Sequence, residues 1–137
     1  MAYDAAHSVV MLFGGGNLNG PNCTMNGDTW TWDGKWAQQN PASSPSPRQA
    51  EGMDYDAFIG QTVLFGGEFE SSNCQSPNTY YNDTWYWNGS NWAVQSSPTA
   101  SPTARGREGF AYDPATKTIV LNGGLTPSNY LNDTWSY

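Results

Sequence analysis

Two short segments of this 137-residue chain place an arginine three residues before a Glu-Gly pair. Arg48 is followed by Glu51, and Arg105 is followed by Glu108. An arginine guanidinium group beside a carboxylate can bind a small polar ligand, or the two groups can pair with one another inside a fold. Mutual pairing is the better prediction, and Arg48 and Arg105 are kept as candidate binding residues.

Three aspartates, Asp28, Asp83 and Asp133, each stand directly before Thr-Trp. Carboxylates can bind calcium or act as general acids, but the chain contains no Asp-x-Asp-x-Asp-Gly loop. A structural role is the better prediction. In that role each short carboxylate accepts backbone N–H bonds from a neighbouring glycine turn.

The metal-binding and nucleophilic residue types are scarce. His7 is the single histidine, and Cys23 and Cys74 are the two cysteines. One histidine without patterned cysteines builds neither a zinc site nor a catalytic triad, so we predict no metal, no cofactor and a surface position for His7. Cys23 and Cys74 occupy matching places in two similar stretches. They form either a disulfide, which would indicate an oxidising compartment, or two unrelated thiols.

These residues belong to a pattern that occurs three times, starting at Met1, Met53 and Phe110. Each copy has a short segment ending in Asp, an apolar run, a glycine pair and an Asp-Thr-Trp segment. Repetition at roughly 50 residues is typical of propellers and solenoids. The glycine pairs are Gly14-Gly15, Gly66-Gly67 and Gly123-Gly124.

The second copy predicts four antiparallel strands. They cover residues 52–56, 61–65 and 83–87, and the fourth begins at Trp92. Apolar and β-branched residues without helical periodicity indicate strands, and Asn88-Gly89 is a strong hairpin signal. Connectors rich in Pro and Ser then lead to the next copy, because proline interrupts a strand. No helix is predicted anywhere.

On these residues the chain resembles the kelch-repeat family. The resemblance implies an all-β fold of kelch-type β-propeller blades, each with four antiparallel strands, and places the Arg-x-x-Glu stretches beside a central channel. The matching residues are the three glycine pairs, the third-strand aromatics Trp32, Trp87 and Tyr137, the fourth-strand Trp36 and Trp92, and the opening Arg48 and Arg105.

The resemblance divides the chain into repeat 1 (1–47, with a truncated start), repeat 2 (48–104) and repeat 3 (105–137, without its last strand). It thus implies an incomplete ring of two blades plus a third that lacks its outer strand. Open sheet edges invite partners. We expect the ring to be completed by other blades of a longer protein, or alternatively by further copies of the chain.

The seven tryptophans are predicted to fill the core between sheets, because burial of an indole contributes a few kcal/mol at ~25 cal/mol per Å². A carbohydrate-stacking platform is the alternative. Trp36 and Trp92 are expected to be the most exposed of the set.

The charge balance limits the partners. The formal net charge is −7, with 5 Lys and Arg against 12 Asp and Glu. Nucleic acids and anionic membranes require clustered cations, so neither is predicted. No apolar run is long enough for a membrane span, and no leader peptide is visible.

The segments between the second and third strands differ in length from copy to copy. Such variation on a constant frame is typical of binding loops, although plain solvated surface is the alternative. The predicted ligand contacts there are Asn19, Asn22, Glu68, Phe69, Glu70, Tyr80 and Tyr130.

These observations favour a non-enzymatic module or scaffold that binds a protein or carbohydrate. We expect it to be extracellular or at the cell surface, with a cytoplasmic location as the alternative. Some kelch propellers are oxidases or sugar-modifying enzymes, but fold alone does not transfer activity, and a copper oxidase of that kind needs two histidines. A subunit of a self-assembling fibre or ring is a further alternative.

Overall fold

The structure is a computed structural model that describes residues 1–17, 23–70, 78–96 and 100–137. Within these ranges every regular element is a β-strand, all pairings are antiparallel, and no helix occurs. The all-β prediction is confirmed. The strands form three larger sheets and two small ribbons.

The first sheet has four strands in the order β1-β2-β5-β6. A two-stranded ribbon, β3 with β4, projects from the connection between β2 and β5. The strands are β1 (Ala2–Asp4), β2 (Val9–Phe13), β3 (Gly16–Asn17), β4 (Thr24–Met25), β5 (Thr29–Trp32) and β6 (Trp36–Gln39).

The second sheet repeats this arrangement in the order β7-β8-β11-β12, with the ribbon β9-β10 between β8 and β11. The turn between β7 and β8 is stabilised locally, because Asp56 Oδ1 accepts the backbone N–H of Phe58 at 2.8 Å. The strands are β7 (Gly52–Asp56), β8 (Gln61–Phe65), β9 (Glu68–Phe69), β10 (Thr79–Tyr80), β11 (Thr84–Trp87) and β12 (Trp92–Val94).

The third sheet has three strands, β13 (Gly109–Asp113), β14 (Thr118–Leu125) and β15 (Tyr130–Ser136). Here sheet and ribbon are continuous, since β14 and β15 run through a bulge between Asn122 and Gly124. The segments that the sequence presented as loops between second and third strands are therefore partly paired β-ribbon in all three copies.

The first and second sheets pack face to face through aromatic rings. Trp92 lies 5.6 Å from Phe13 between ring centroids, and its indole N–H donates to Thr29 Oγ1 at 2.9 Å. Trp87 and Trp92 are each 1% exposed. The expectation that Trp92 would be partly exposed is wrong, because the first sheet covers it. Trp36 is 47% exposed, as expected.

The third sheet packs on the opposite face of the second. The Tyr137 ring lies 5.8 Å from the ring of Phe65. Gly52 must lack a side chain, because a Cβ there would come within 2.6 Å of the Phe110 ring. The first strands of the sheets also meet, since β7 contacts both β1 and β13.

Candidate functional site

Arg48 stands just before the second sheet, and its side chain is fully buried. Its guanidinium binds both carboxylate oxygens of Asp83, at 2.6 and 2.9 Å, and the carbonyl oxygen of Gly66 at 2.8 Å. The Tyr81 ring lies 4.0 Å from Cζ. A buried cation needs this degree of pairing, because desolvation would otherwise outweigh its interactions.

The backbone of Arg48 binds the preceding sheet instead. Its carbonyl oxygen accepts the N–H of Gly15 at 2.8 Å, and its N–H donates to the carbonyl of Asn26 at 3.2 Å. One residue thus connects the first sheet through its main chain and the second through its side chain. We call this arrangement an arginine joint.

Arg105 forms a second arginine joint, in which each partner is the counterpart, one repeat later, of a partner of Arg48. Its carbonyl oxygen accepts the backbone N–H of Gly67 at 2.8 Å, and its own backbone N–H donates to the carbonyl oxygen of Tyr81 at 3.0 Å. Its guanidinium binds Asp133 at 2.6 and 2.8 Å and the carbonyl of Gly123 at 2.8 Å. The side chains of the candidate binding residues Arg48 and Arg105 are therefore buried and already paired, with Asp83 and Asp133.

The aspartates of the joints also hold the tryptophans that follow them. Asp83 accepts the indole N–H of Trp85 at 2.7 Å. Burial alone would raise the pKa of Asp83, but the bonds from Arg48 and Trp85 outweigh it and lower that pKa. The predicted bond from the glycine turn goes elsewhere: Gly66 N–H donates to the backbone carbonyl of Asp83 at 3.2 Å, not to its carboxylate.

A second charged cluster lies at the base of the β9-β10 ribbon. Glu68 is fully buried, yet Arg107, which it binds at 2.7 Å, is 59% exposed. Asn78 donates to the other carboxylate oxygen of Glu68 at 3.0 Å. Although burial raises the pKa of Glu68, the bonds from Arg107, Asn78 and Tyr80 together lower it. Glu68, a predicted ligand contact, is thus a buried and ionised carboxylate that positions Arg107.

Two tyrosines lie near Arg107. Tyr80 adjoins the same carboxylate, and Tyr130 is 88% exposed at the start of β15. Both tyrosines lie close enough to raise the pKa of Arg107, after the larger effect of Glu68. We call Arg107, Asn78, Tyr80 and Tyr130 the Arg107 surface.

The other predicted contacts are less concentrated. Phe69 ends β9 of the ribbon and Glu70 follows it, both half-buried, and Asn19 and Asn22 lie outside the described residues. Sequence reasoning missed Arg107. The signal was present, because alignment of the two Arg-x-x-Glu-Gly segments sets Arg107 against Ala50 and marks it as a cation that the frame does not require.

Arg107 and Ala50 share an unusual backbone conformation, with φ values of 63° and 57°. This left-handed region is uncommon for residues other than glycine. The N–H of Arg107 donates to the carbonyl of Ala50 at 2.8 Å, so neighbouring repeats fix the conformation. Strain of this kind is found at ligand-binding and active sites.

Glu51 and Glu108 form a third charged feature, a pair of buried carboxyls from neighbouring repeats. Glu108 Oε1 accepts the N–H of Gly52 at 3.0 Å, whereas Oε2 of each glutamate is buried and has no hydrogen-bond partner. Burial raises the pKa of Glu51, and burial with a smaller effect of Glu51 raises the pKa of Glu108 to about 7.

In the described ranges, no three His, Cys, Asp or Glu side chains come together as a metal site. Cys23 is buried and disulfide-bonded, and the described part of the chain has no free cysteine; Cys74 lies outside it. His7 is partly exposed and binds Asp4 at 2.8 Å. Helices able to cross a membrane are absent from the portion that the structure describes.

No known family model matches the chain, and no curated protein matches it. Among solved structures, the chain is similar to YjhT, with a TM-score of 0.64 at 15% sequence identity. The superposition covers 90% of this chain and 38% of YjhT. The chain therefore spans less than two thirds of that protein's length, and the likeness is one of fold.

Proposed function

We propose that this chain is a non-enzymatic binding module, built as part of a kelch-type β-propeller, which holds a protein ligand on the Arg107 surface. The observation that carries the proposal is an exposed guanidinium fixed by a buried carboxylate, Glu68. An anchored arginine loses little side-chain freedom when a ligand binds, so more of the interaction contributes to affinity.

The packing supports the propeller. Each sheet stacks on the next in chain order, and the first strands of the three sheets are neighbours, as expected for the inner strands of blades. The chain covers 38% of YjhT, which it resembles in fold, so a longer protein with further sheets is compatible with this proposal. On this proposal, other blades complete the ring.

The chemistry of the Arg107 surface defines the ligand. Glu68 engages Nε and Nη2 of Arg107, and in the part of the chain that the structure describes no side chain occupies Nη1, which can therefore bind an incoming oxygen. Tyrosine and arginine are the residues that contribute most at protein interfaces. A carboxylate beside an apolar side chain fits this combination best, so we propose an acidic peptide segment as the ligand, with a glycan as the alternative.

The disulfide at Cys23 supports a secreted or cell-surface location, because disulfides persist in oxidising compartments. The low cation content also suits a module that does not act on nucleic acid.

The proposal is tested with the intact chain on arrays of acidic peptides and of glycans, followed by affinity measurement for the hits. Arg107→Gln is expected to weaken binding about tenfold or more, because it removes a charge-assisted hydrogen bond. Tyr130→Ala is expected to weaken it less.

Lys35→Gln is the matched control, since it removes a cation of the same charge from the first repeat, far along the chain from Arg107. It is expected to leave affinity unchanged at constant ionic strength. Equal losses in the two variants would mean that binding follows net charge alone. Retention of the same ligands by Arg107→Gln would contradict the proposal.

A further inference from the structure

The first sheet contains the aspartate of an arginine joint without the arginine. Asp28 occupies the position of Asp83 and Asp133, and it accepts the indole N–H of Trp30 at 2.5 Å as its counterparts accept theirs. Among the described residues, no arginine binds the Asp28 carboxylate. The acceptor geometry is thus formed in the same way as in the two complete joints.

The remaining acceptors of a joint are also formed in the first sheet. Gly14 corresponds to Gly66 and Gly123, whose carbonyl oxygens each accept an arginine Nη1–H at 2.8 Å. Gly14 has the same left-handed φ, near 60°, and its N–H is held by the Asp28 carbonyl at 3.0 Å. The Gly14 carbonyl is therefore set in the orientation that a guanidinium requires.

An edge for backbone pairing completes the site. In both arginine joints, the residue after the arginine pairs with the first ribbon residue: Gln49 with Glu68, and Gly106 with Leu125. Gly16, the first residue of β3, corresponds in the first repeat to Glu68 and Leu125, and it is exposed. An extended segment that brings an arginine to Asp28 would thus meet a strand edge at Gly16.

The tryptophan face of the first sheet is a second, independent observation. Trp30, Trp32 and Trp36 share the face that points away from the second sheet, because Thr29 on the other face binds Trp92. Trp32 and Trp36 are 40% and 47% exposed, and a cavity of about 350 Å³ opens between Leu12, Trp30 and Trp36.

The second sheet shows what covers such a face. Trp87 and Trp92, the counterparts of Trp32 and Trp36, are buried against the apolar face of the sheet that precedes them. The connector that carries Arg48 follows that same preceding sheet. The sheet that covers the tryptophan face and the connector that carries the arginine therefore belong to one repeat unit.

We propose that Asp28, the Gly14 carbonyl and the Gly16 edge form a receptor for the arginine of a further repeat unit, whose sheet covers the face of Trp30, Trp32 and Trp36. The occupant is a polypeptide segment of the Pro-Arg type seen at Pro47-Arg48, not a free cation. Charge complementarity favours it, because a carboxylate beside an apolar face requires a cationic partner on an apolar frame.

The probe is a synthetic peptide with the sequence of residues 44–52, added at millimolar concentration to the intact chain. NMR of the tryptophan indole N–H signals reports binding, because Trp30, Trp85 and Trp135 each donate to one joint aspartate. The peptide is expected to shift the Trp30 signal and leave those of Trp85 and Trp135 in place, since Arg48 and Arg105 already occupy their aspartates.

Two controls make the result specific. A peptide with Gln in place of Arg48 is expected to bind about tenfold more weakly or not at all. Asp28→Asn in the chain keeps an oxygen for the Trp30 indole but removes the charge, and it is expected to weaken the native peptide to the same extent. Unchanged Trp85 and Trp135 signals verify that this variant folds.

The proposal is overturned if the Trp30 signal does not move, if all three indole signals move together, or if the Gln peptide acts as well as the Arg peptide. It is also overturned if free arginine amide reproduces the shift at equal concentration, because the site would then select a cation and not a segment.

Discussion

The first and second sheets are built from nearly the same residues, yet they differ in what is buried. Trp32 and Trp36 are 40% and 47% exposed, whereas their counterparts Trp87 and Trp92 are each 1% exposed. The local strand pairing is equal, since Trp32 faces Trp36 and Trp87 faces Trp92 across the same hairpin position. A neighbouring sheet, and not the strand itself, decides whether an indole belongs to the core.

The same contrast applies to charge. Asp83 is paired with a buried arginine, whereas Asp28 accepts the indole N–H of Trp30 and binds no arginine among the described residues. Exposed indoles and a carboxylate that binds no arginine among the described residues therefore occur together in the first sheet. The interior of a repeat array satisfies both kinds of group through one arginine joint.

The largest expected effect comes from the tryptophans themselves. Trp92→Ala removes the packing on Phe13 and the bond to Thr29, and should lower the free energy of unfolding by about 3–5 kcal/mol. Trp36→Ala in the first sheet should cost at most ~1 kcal/mol, because about half of that ring is already in water. Urea unfolding of both variants measures the difference. Similar losses in the two variants would contradict the comparison.

Alanine substitution in the glycine pairs should lower the free energy of unfolding by a smaller amount, and the two equivalent glycines Gly66 and Gly123 serve as test and control. Gly66 and Gly123 have φ values of 64° and 66°, so alanine is equally strained at either. A Cβ at Gly66 would come within 2.6 Å of the Arg105 carbonyl, whereas at Gly123 the nearest atom is 3.2 Å away. Gly66→Ala should cost about 2–4 kcal/mol and Gly123→Ala about 1 kcal/mol. If thermal or urea unfolding shows no difference, the joint does not need the close approach.

The smallest effect concerns the carboxyl between the second and third repeats. The pKa of Glu108 is raised to about 7 in the fold, so the folded chain binds this proton more tightly than the unfolded chain. Its stabilising contribution is complete below the unfolded value of ~4.5 and is lost as pH rises through about 7. The free energy of unfolding should fall by about 2–3 kcal/mol between pH 5 and pH 8.

Glu108→Gln tests this expectation, because glutamine keeps an acceptor for Gly52 and does not titrate. Its stability should change less over the same pH range than that of the natural chain. Glu70→Gln, at a residue beside the ribbon, serves as the control. A pH profile of Glu108→Gln that matches the natural one would assign the dependence to another group.

Much of the fold could be predicted from the sequence. The predicted strands 52–56 and 61–65 agree with β7 and β8 residue for residue, because β-branched runs bounded by Asp turns and glycines have few alternatives. The two-residue strands of the ribbons were not predicted. Such short elements carry no periodicity, and only pairing in space defines them.

The candidate site was less accessible to sequence reasoning. The segments with Glu68, Tyr80 and Tyr130 were identified, but the pairing of Glu68 with Arg107, 39 positions further along the chain, was not predicted. The partners of Arg48 were missed for the same reason. Asp83 lies 35 positions away, and a carboxylate closer in sequence, Glu51, was the obvious choice.

The sequence by itself determined the repeating strands, the glycine turns and the set of tryptophans, because each depends on torsion preferences and on interactions between near neighbours. Only the tertiary structure decided which tryptophans are covered, which aspartates receive an arginine and which cation stays in solvent. Those outcomes depend on the sheet that packs alongside, and such contacts between distant segments leave no local mark on the residues that make them.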